Sequence, residues 1–230
     1  MEIYKDKALI VNTKNPNTII ASIPKSKILK SYENGVTKVM VNWGIDEVIA
    51  LSRVIKFPPS PITKDYKWPG VYKPFNHQKE IADFLSAHKR AYCLSEAGTG
   101  KTSGVVWASD YLMEQGKINR MLVICPLSIM KAAWEADLFK TAMHRTVAIA
   151  HGSAEKRKKI LAQNTDIVII NYDGIEIVQK ELKAGGFDLI VVDEANYIKT
   201  VTTKRWKSLN KLVTPDNWVW LLTGTPAAQS

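Results

Sequence analysis

Ser95-Glu96-Ala97-Gly98-Thr99-Gly100-Lys101-Thr102 combines two glycines, a lysine and a hydroxyl in an order that suits phosphate chemistry. Glycines let backbone N–H groups curl round phosphate oxygens, and a helix opening at the lysine adds the positive end of its dipole. In that arrangement Lys101 reaches the β- and γ-phosphates of a nucleotide and the Thr102 hydroxyl turns to Mg²⁺. The strict form of such a loop, G-x-x-x-x-G-K-[ST], begins with glycine where this chain has Ser95. The plain alternative is a glycine-rich strand-to-helix turn that holds no ligand.

About ninety residues further on, the apolar run FDLIVVDEAN ends in Asp193-Glu194. The carboxyl edge of a parallel sheet is where ligands of α/β folds bind. Asp193 can therefore hold Mg²⁺, and Glu194 can orient or deprotonate an attacking water. An isolated Asp-Glu pair reads as a cap for the next helix. Joined to a phosphate loop it completes one site, with Lys101, Asp193 and Glu194 as the catalytic set and Thr102 and Asp193 as metal ligands.

Such residues need elements to hold them. From Phe75 onward the apolar runs AYCLS, RMLVICP, TVAIA, DIVIIN, FDLIVVDE and WVWLLTG alternate with helical stretches centred on 80–88, 102–115, 128–139, 154–163, 174–183 and 203–213. Strands with no solvated face, alternating with helices, predict an α/β fold with a mostly parallel sheet covered on both faces. Residues 1–57 carry shorter β-branched runs, ALIVNT, NTIIASI and TKVMVNW, broken by Asn, Pro and Gly, which predict a small β-rich module. Five prolines in FPPSPITKDYKWPGVYKP predict an extended linker over 58–74.

Composition narrows the class. With 46% hydrophobic residues in 230, the chain can bury a core and disorder is not the default. A formal charge of +10 favours a polyanionic partner, although charge alone does not identify nucleic acid. Cys93 and Cys125 lie in apolar runs as buried free thiols, and no Cys/His spacing suggests zinc. No stretch approaches the roughly 20 apolar residues of a membrane span and no signal peptide opens the chain, so an intracellular protein of cytoplasm, nucleus or nucleoid is expected. His88 and His144 read as surface or capping residues. Lys156-Arg157-Lys158-Lys159 reads as a solvated helix face or, alternatively, a phosphate-contacting patch. The tryptophans are mostly core anchors, with Trp43 and Trp68 open to stacking on a base.

Taken together, residues 75–230 resemble the first RecA-like P-loop lobe of superfamily 2 helicases, most closely the Swi/Snf-type double-stranded DNA translocases. Glu96, Gly98, Gly100, Lys101 and Thr102, with Thr99 between them, match the helicase form of the loop, which accounts for the absent first glycine. Phe75-Asn76-His77-Gln78-Lys79 resembles the adenine-reading element, with Gln78 as the reader. Cys125-Pro126-Leu127-Ser128 with Trp134, His151-Gly152, and Asn171-Tyr172-Asp173 resemble the strand-end elements that touch the nucleic-acid backbone. This implies Pro126, Ser128, His151, Gly152 and Asn171 as contacts. Asp193-Glu194-Ala195-Asn196 resembles the Asp-Glu-Ala-His motif with Asn in place of His, and Lys199-Thr200 stands where the Swi/Snf branch has Lys-Asn. Lys199 joins the implied nucleic-acid contacts.

Leu222-Thr223-Gly224-Thr225-Pro226 resembles the motif that couples nucleotide state to the nucleic-acid site, although Gln229 stands where many members have Asn. Asn196, Thr223, Gly224 and Thr225 form the implied coupling set, and Asn196 implies altered coupling. The resemblance implies an ATP- and Mg²⁺-dependent helicase or translocase acting on double-stranded DNA. Because the chain ends just after this motif, the expectation is the N-terminal half of such a motor. Its hydrolysis would be very weak without a second lobe to supply an arginine finger, a group worth roughly 10³–10⁵ in rate. Two alternatives stay open: a nucleic-acid-binding module that never turns over, and an RNA helicase lobe, which Lys199 disfavours.

Overall fold

The computed structural model of the chain describes residues 1–95, 98–198 and 200–224. They fall into two compact units, one of Met1–Lys67 with Asp83–His88, the other of Trp68–Ala82 with the chain from Lys89 onward.

In the first unit, strands β1 (Glu2–Tyr4), β2 (Ala8–Thr13), β3 (Lys27–Ser31) and β4 (Thr37–Asn42) form an antiparallel sheet in the order β1-β2-β4-β3. Period-two alternation sends Leu9, Val11, Val39 and Val41 to one face. There they pack with Ile19 of helix α1 (Pro16–Ser22) and with Val48 and Leu51 of α2 (Ile45–Leu51). The run NTIIASI therefore supplies a helix where its β-branched composition favours a strand. Pro16 occupies the first helical position, where a missing N–H is no loss and the fixed φ suits a helix. Trp43 is 5% exposed and its indole N–H donates to the Pro59 carbonyl at 2.8 Å, so it is not free to stack on a base.

The proline-rich stretch is anchored at several points along its length. Within the first unit the Ser60 N–H donates to Asp83 at 2.8 Å, and a four-residue helix α3 (Ile62–Asp65) follows Pro61. Within the second unit the Trp107 indole donates to the Pro69 carbonyl at 2.9 Å, Trp68 meets Trp107 edge-on at 5.8 Å, and the Tyr72 and Ser103 hydroxyls lie 3.1 Å apart. Prolines rule out ladder hydrogen bonds but not side-chain anchoring, and the aromatics interleaved with them do the anchoring here.

The second unit carries the α/β alternation. Helix α4 (Asn76–Ala87) leads to β5 (Arg90–Leu94), α5 (Lys101–Glu114) and β6 (Met121–Cys125). A π-helical turn, Met130–Glu135, runs into α6 (Ala136–Thr141). Then come β7 (Val147–Ala150), α7 (Ala154–Leu161), β8 (Ile167–Asn171), α8 (Tyr172–Ile177), α9 (Gln179–Ala184), β9 (Leu189–Asp193), α10 (Lys204–Asn210) and β10 (Trp218–Thr223). The six strands lie in the order β5-β10-β9-β6-β8-β7, every pairing parallel.

Strands β6, β8 and β9 are buried at every residue, as their uniform composition requires. Leu122, Ile124, Val168, Ile170, Ile190 and Val192 pack on Leu161, Ile175, Leu182 and Leu209 from α7 to α10. Their neighbours Val123, Ile169 and Val191 point to the opposite face and are equally buried, so both faces are covered. The apolar run of β5 behaves differently. It lies at one edge of the described sheet, with Cys93 buried but Tyr92 44% and Leu94 59% exposed. Among the described residues no helix is long and apolar enough to cross a membrane.

Gly104 lets α5 approach the first turns of α4, because a Cβ there would lie 2.9 Å from Ile81 Cγ2 and 3.0 Å from the Gln78 carbonyl oxygen. Gly104→Val is expected to lower the stability of the second unit by about 2 kcal/mol through overpacking. A urea midpoint equal to that of the unaltered chain would show that α5 can shift at no cost.

Candidate active site

Parallel strands deliver their carboxyl ends to one edge, and Ser95 after β5 and Asp193-Glu194 at the end of β9 flank the end of β10 there. Gly98 and Gly100 hold φ of 80° and 71°, in the left-handed region that glycine enters without penalty. Gly100 caps α5, and any side chain there would collide with the Gln78 carboxamide. That carboxamide accepts from the Phe75 N–H at 2.9 Å and donates to the Gly100 carbonyl at 3.3 Å, while His77 Nε2 bonds the Thr99 carbonyl at 2.6 Å. Ser95, the departure from the strict pattern, has its hydroxyl 2.7 Å from that of Thr99, and its N–H donates to the Thr223 carbonyl at 3.2 Å. The loop is thus tied both to α4 and to the end of β10.

Lys101 and Thr102 open α5 and are 7% and 8% exposed. Lys101 Nζ lies 3.6 Å from Glu194 Oε1 and 4.0 Å from Asp193 Oδ1, yet makes no hydrogen bond among the described residues. A buried ammonium with unused donors is costly unless an anion accepts them. The chemistry of the donor set, a lysine over left-handed glycines at a helix N-terminus, fits a polyphosphate.

Asp193, 3% exposed, has its carboxyl pushed above the ordinary range by burial. The Trp134 indole N–H on Oδ2 at 2.9 Å, the Lys101 ammonium, and the Glu194 N–H on Oδ1 at 2.9 Å oppose that shift. Cys125, close to Asp193 in the register of β6 and β9, is pushed up to about 12 by burial and by that carboxylate, so its thiol stays neutral. Glu194 stands at φ 55°, a left-handed conformation that costs a non-glycine residue on the order of 1–2 kcal/mol. The Tyr172 hydroxyl donates to the Asp193 carbonyl at 2.6 Å and reaches the Glu194 carbonyl at 3.2 Å, and burial raises its own pKa, keeping it a donor.

Beside this edge opens a cavity of about 420 Å³. Pro126, Leu127 and Ser128 after β6, Asn171, Tyr172 and Asp173 after β8, and Tyr197 and Arg205 line it. Tyr172 and Tyr197 stack at 5.4 Å, with the Arg205 guanidinium 5.8 and 5.4 Å from their rings and forked onto Asp173 at 2.9 and 3.2 Å.

The structure gathers Gln78, Gly98, Thr99, Gly100, Lys101, Thr102, Asp193 and Glu194 into one site, and Pro126, Ser128 and Asn171 into the neighbouring cavity. His151 and Gly152 follow β7, exposed, and are not among the cavity's lining residues. Asn196 lies in the 3₁₀ turn Ala195–Ile198 directly after Glu194. Thr223 is buried at the end of β10, and Gly224 follows it. Glu96, Lys199 and Thr225 lie outside the described residues. His88 bonds the Phe84 carbonyl one turn back at 2.6 Å, whereas His144 Nε2 lies 2.9 Å from the carboxylate of buried Asp110, a side-chain contact and not a cap.

The basic run departs from expectation at Arg157, which is 5% exposed and donates to the carbonyls of Gly152, at 3.0 Å, and Ala150. It braces the turn after β7. The hydroxyl of Tyr172, the indole of Trp134 and the fork of Arg205 are likewise contributions that spacing did not reveal. Their partners are distant in the chain, and the one available signal was aromatic and basic residues close behind strand ends.

A parallel sheet with a glycine loop after β5 and paired carboxylates after β9 defines the class: a RecA-like P-loop lobe. Residues 77–230 match the SNF2-related domain, and the chain belongs to that family. It is 28% identical over 172 residues to the DNA excision repair protein ERCC-6-like of Danio rerio, which covers 68% of this chain and 12% of that protein. Identity to the ATP-dependent helicase fft2 of Schizosaccharomyces pombe is 34% over 141 residues, 57% of this chain and 11% of that one. The solved Sulfolobus solfataricus SWI2/SNF2 ATPase core in complex with dsDNA shares the fold with a TM-score of 0.60 and 28% identity, over 69% of this chain and 33% of that one. The chain therefore matches about a tenth of these curated relatives and a third of that ATPase core.

Trp134→Phe removes a donor from a buried carboxylate, an expected loss of about 1.5–3 kcal/mol beyond that of the smaller ring. The hydrogen bond favours ionised Asp193, so this part of the loss is full well above the raised pKa and shrinks as the pH falls through it. Urea unfolding of both forms across pH checks it; a difference independent of pH would assign the loss to packing alone.

Proposed function

We propose that this chain is the nucleotide-binding first lobe of an ATP-dependent translocase acting on double-stranded DNA. The observation that carries the reading is Lys101 Nζ, buried between the glycine loop and two carboxylates with its hydrogen-bond donors unused. The names of the relatives, an ATP-dependent helicase and an ATPase core bound to dsDNA, point the same way.

Gly98, Thr99, Gly100 and Lys101, with Glu96, would hold the phosphates of ATP, and Gln78 its adenine. Thr102 and Asp193 would hold Mg²⁺, which when bound neutralises phosphate charge and polarises the γ-phosphoryl group. Glu194 accepts a proton from water as the water oxygen bonds to the γ-phosphorus and the bond to the β-phosphate oxygen breaks. A second lobe of the same protein supplies the arginine that stabilises the charge developing there. Pro126, Ser128 and Asn171 at the cavity, with His151, Gly152 and Lys199, contact the DNA backbone. Asn196, Thr223, Gly224 and Thr225 relay nucleotide state to it, and the bond from the Ser95 N–H to the Thr223 carbonyl supports that assignment. Residues 1–57 serve as an accessory module, and an intracellular location follows from the partner.

Binding of a fluorescent ATP analogue with Mg²⁺ should weaken about 100-fold in Lys101→Ala, which loses a charge-assisted contact. Glu194→Gln should leave that binding intact while duplex-stimulated hydrolysis by the intact two-lobed protein falls about 10²- to 10⁴-fold. Hydrolysis that survives Glu194→Gln would overturn the reading, and stronger stimulation by duplex RNA would redirect it to an RNA helicase.

A further inference from the structure

Tyr172 belongs to two places at once. Its ring walls the cavity of about 420 Å³, stacked on Tyr197 beneath Arg205. Its hydroxyl is buried on the other side, bonded to the carbonyl oxygens of Asp193 and Glu194. Those are consecutive residues, and the second is held in a left-handed conformation while its carboxylate is paired with Lys101 at 3.6 Å. Glu194 has to leave that ion pair before its carboxylate can serve a water. The Tyr172 hydroxyl grips the carbonyl on each side of the Glu194 peptide, sharing the Glu194 oxygen with the Tyr197 N–H at 3.0 Å, and the ring of the same side chain stacks on Tyr197 in the cavity's lining.

We infer that Tyr172 is a positioning residue that links occupancy of the cavity to the placement of Glu194. A ligand strand seated against the Tyr172–Tyr197 stack shifts the ring, the hydroxyl shifts the carbonyls of residues 193 and 194, and the Glu194 side chain is released from Lys101. The inference rests on the proposed function and deepens it by naming how nucleic acid regulates the site. Tyr172 touches no reacting atom in this scheme; it acts through Glu194. The Phe variant isolates the link, since it keeps the ring stack and removes the two hydrogen bonds.

The test is steady-state hydrolysis by the intact protein with Tyr172→Phe, with and without saturating duplex DNA, beside direct binding of an ATP analogue and of the duplex. The expected result is a KM for ATP and both dissociation constants within about twofold of wild type, with DNA-stimulated kcat lower by about tenfold, the scale of one lost hydrogen bond in a buried site. Tyr172→Leu, which also removes the ring, is expected to weaken the duplex as well. A Phe variant stimulated as strongly as wild type overturns the inference. Loss of ATP binding together with a fall in thermal midpoint assigns Tyr172 a structural role and overturns it too. Wild-type protein that duplex DNA does not stimulate overturns the functional reading and this inference with it, whereas a responding wild type beside an equally responding variant overturns the inference alone.

Discussion

The ammonium of Lys101 has to be kept close to two carboxylates and largely out of water, and the second unit is arranged around that constraint. Taking such charges from water can cost more than their mutual attraction returns. Here burial alone already drives Asp193 toward its neutral form. The opposition comes from the Trp134 indole and the Lys101 charge, supplied by two segments distant in the chain, and from the N–H of the next residue, Glu194. A lysine held at this cost keeps hydrogen-bond donors that no described group accepts, the observation on which the proposed phosphate site rests.

Only a stiff frame can hold groups from such distant segments to ångström tolerances. The parallel sheet provides it. Strand β10 lies between β5 and β9, so the loop after β5 and the carboxylates after β9 straddle the end of one further strand. The Ser95 N–H then ties the loop to that strand at Thr223. The same edge carries the turns after β6 and β8, which accounts for the cavity beside the site. Arg157 braces the turn after β7 from beneath, its charge turned on carbonyl oxygens and not on solvent.

Much of this was legible beforehand. Five of the six strands of the second unit lie within the apolar runs that predicted them and β5 starts one residue ahead of its run, at Arg90; strands covered on both faces have no freedom to be polar. The glycine loop and the Asp193-Glu194 pair were legible for a related reason, since phosphate and metal chemistry admits few residue types at few spacings. The first unit was harder to read. NTIIASI has the composition of a strand, and a single proline at its start turns it into a helix. The proline-rich stretch has the composition of a linker, and its aromatic residues fasten it in place.

From its sequence alone the chain is determined to be an α/β P-loop lobe with its phosphate loop and acidic pair each at the end of a strand, since local backbone rules and uniform burial suffice for that. Tertiary structure alone decided that β5 takes an edge, that Arg157 is buried within a lysine run, and that one tyrosine spans the cavity and the carbonyls of Asp193 and Glu194. Strand order and side-chain partners depend on contacts between residues tens of positions apart. No periodicity or spacing along the chain encodes which of the possible contacts packs best.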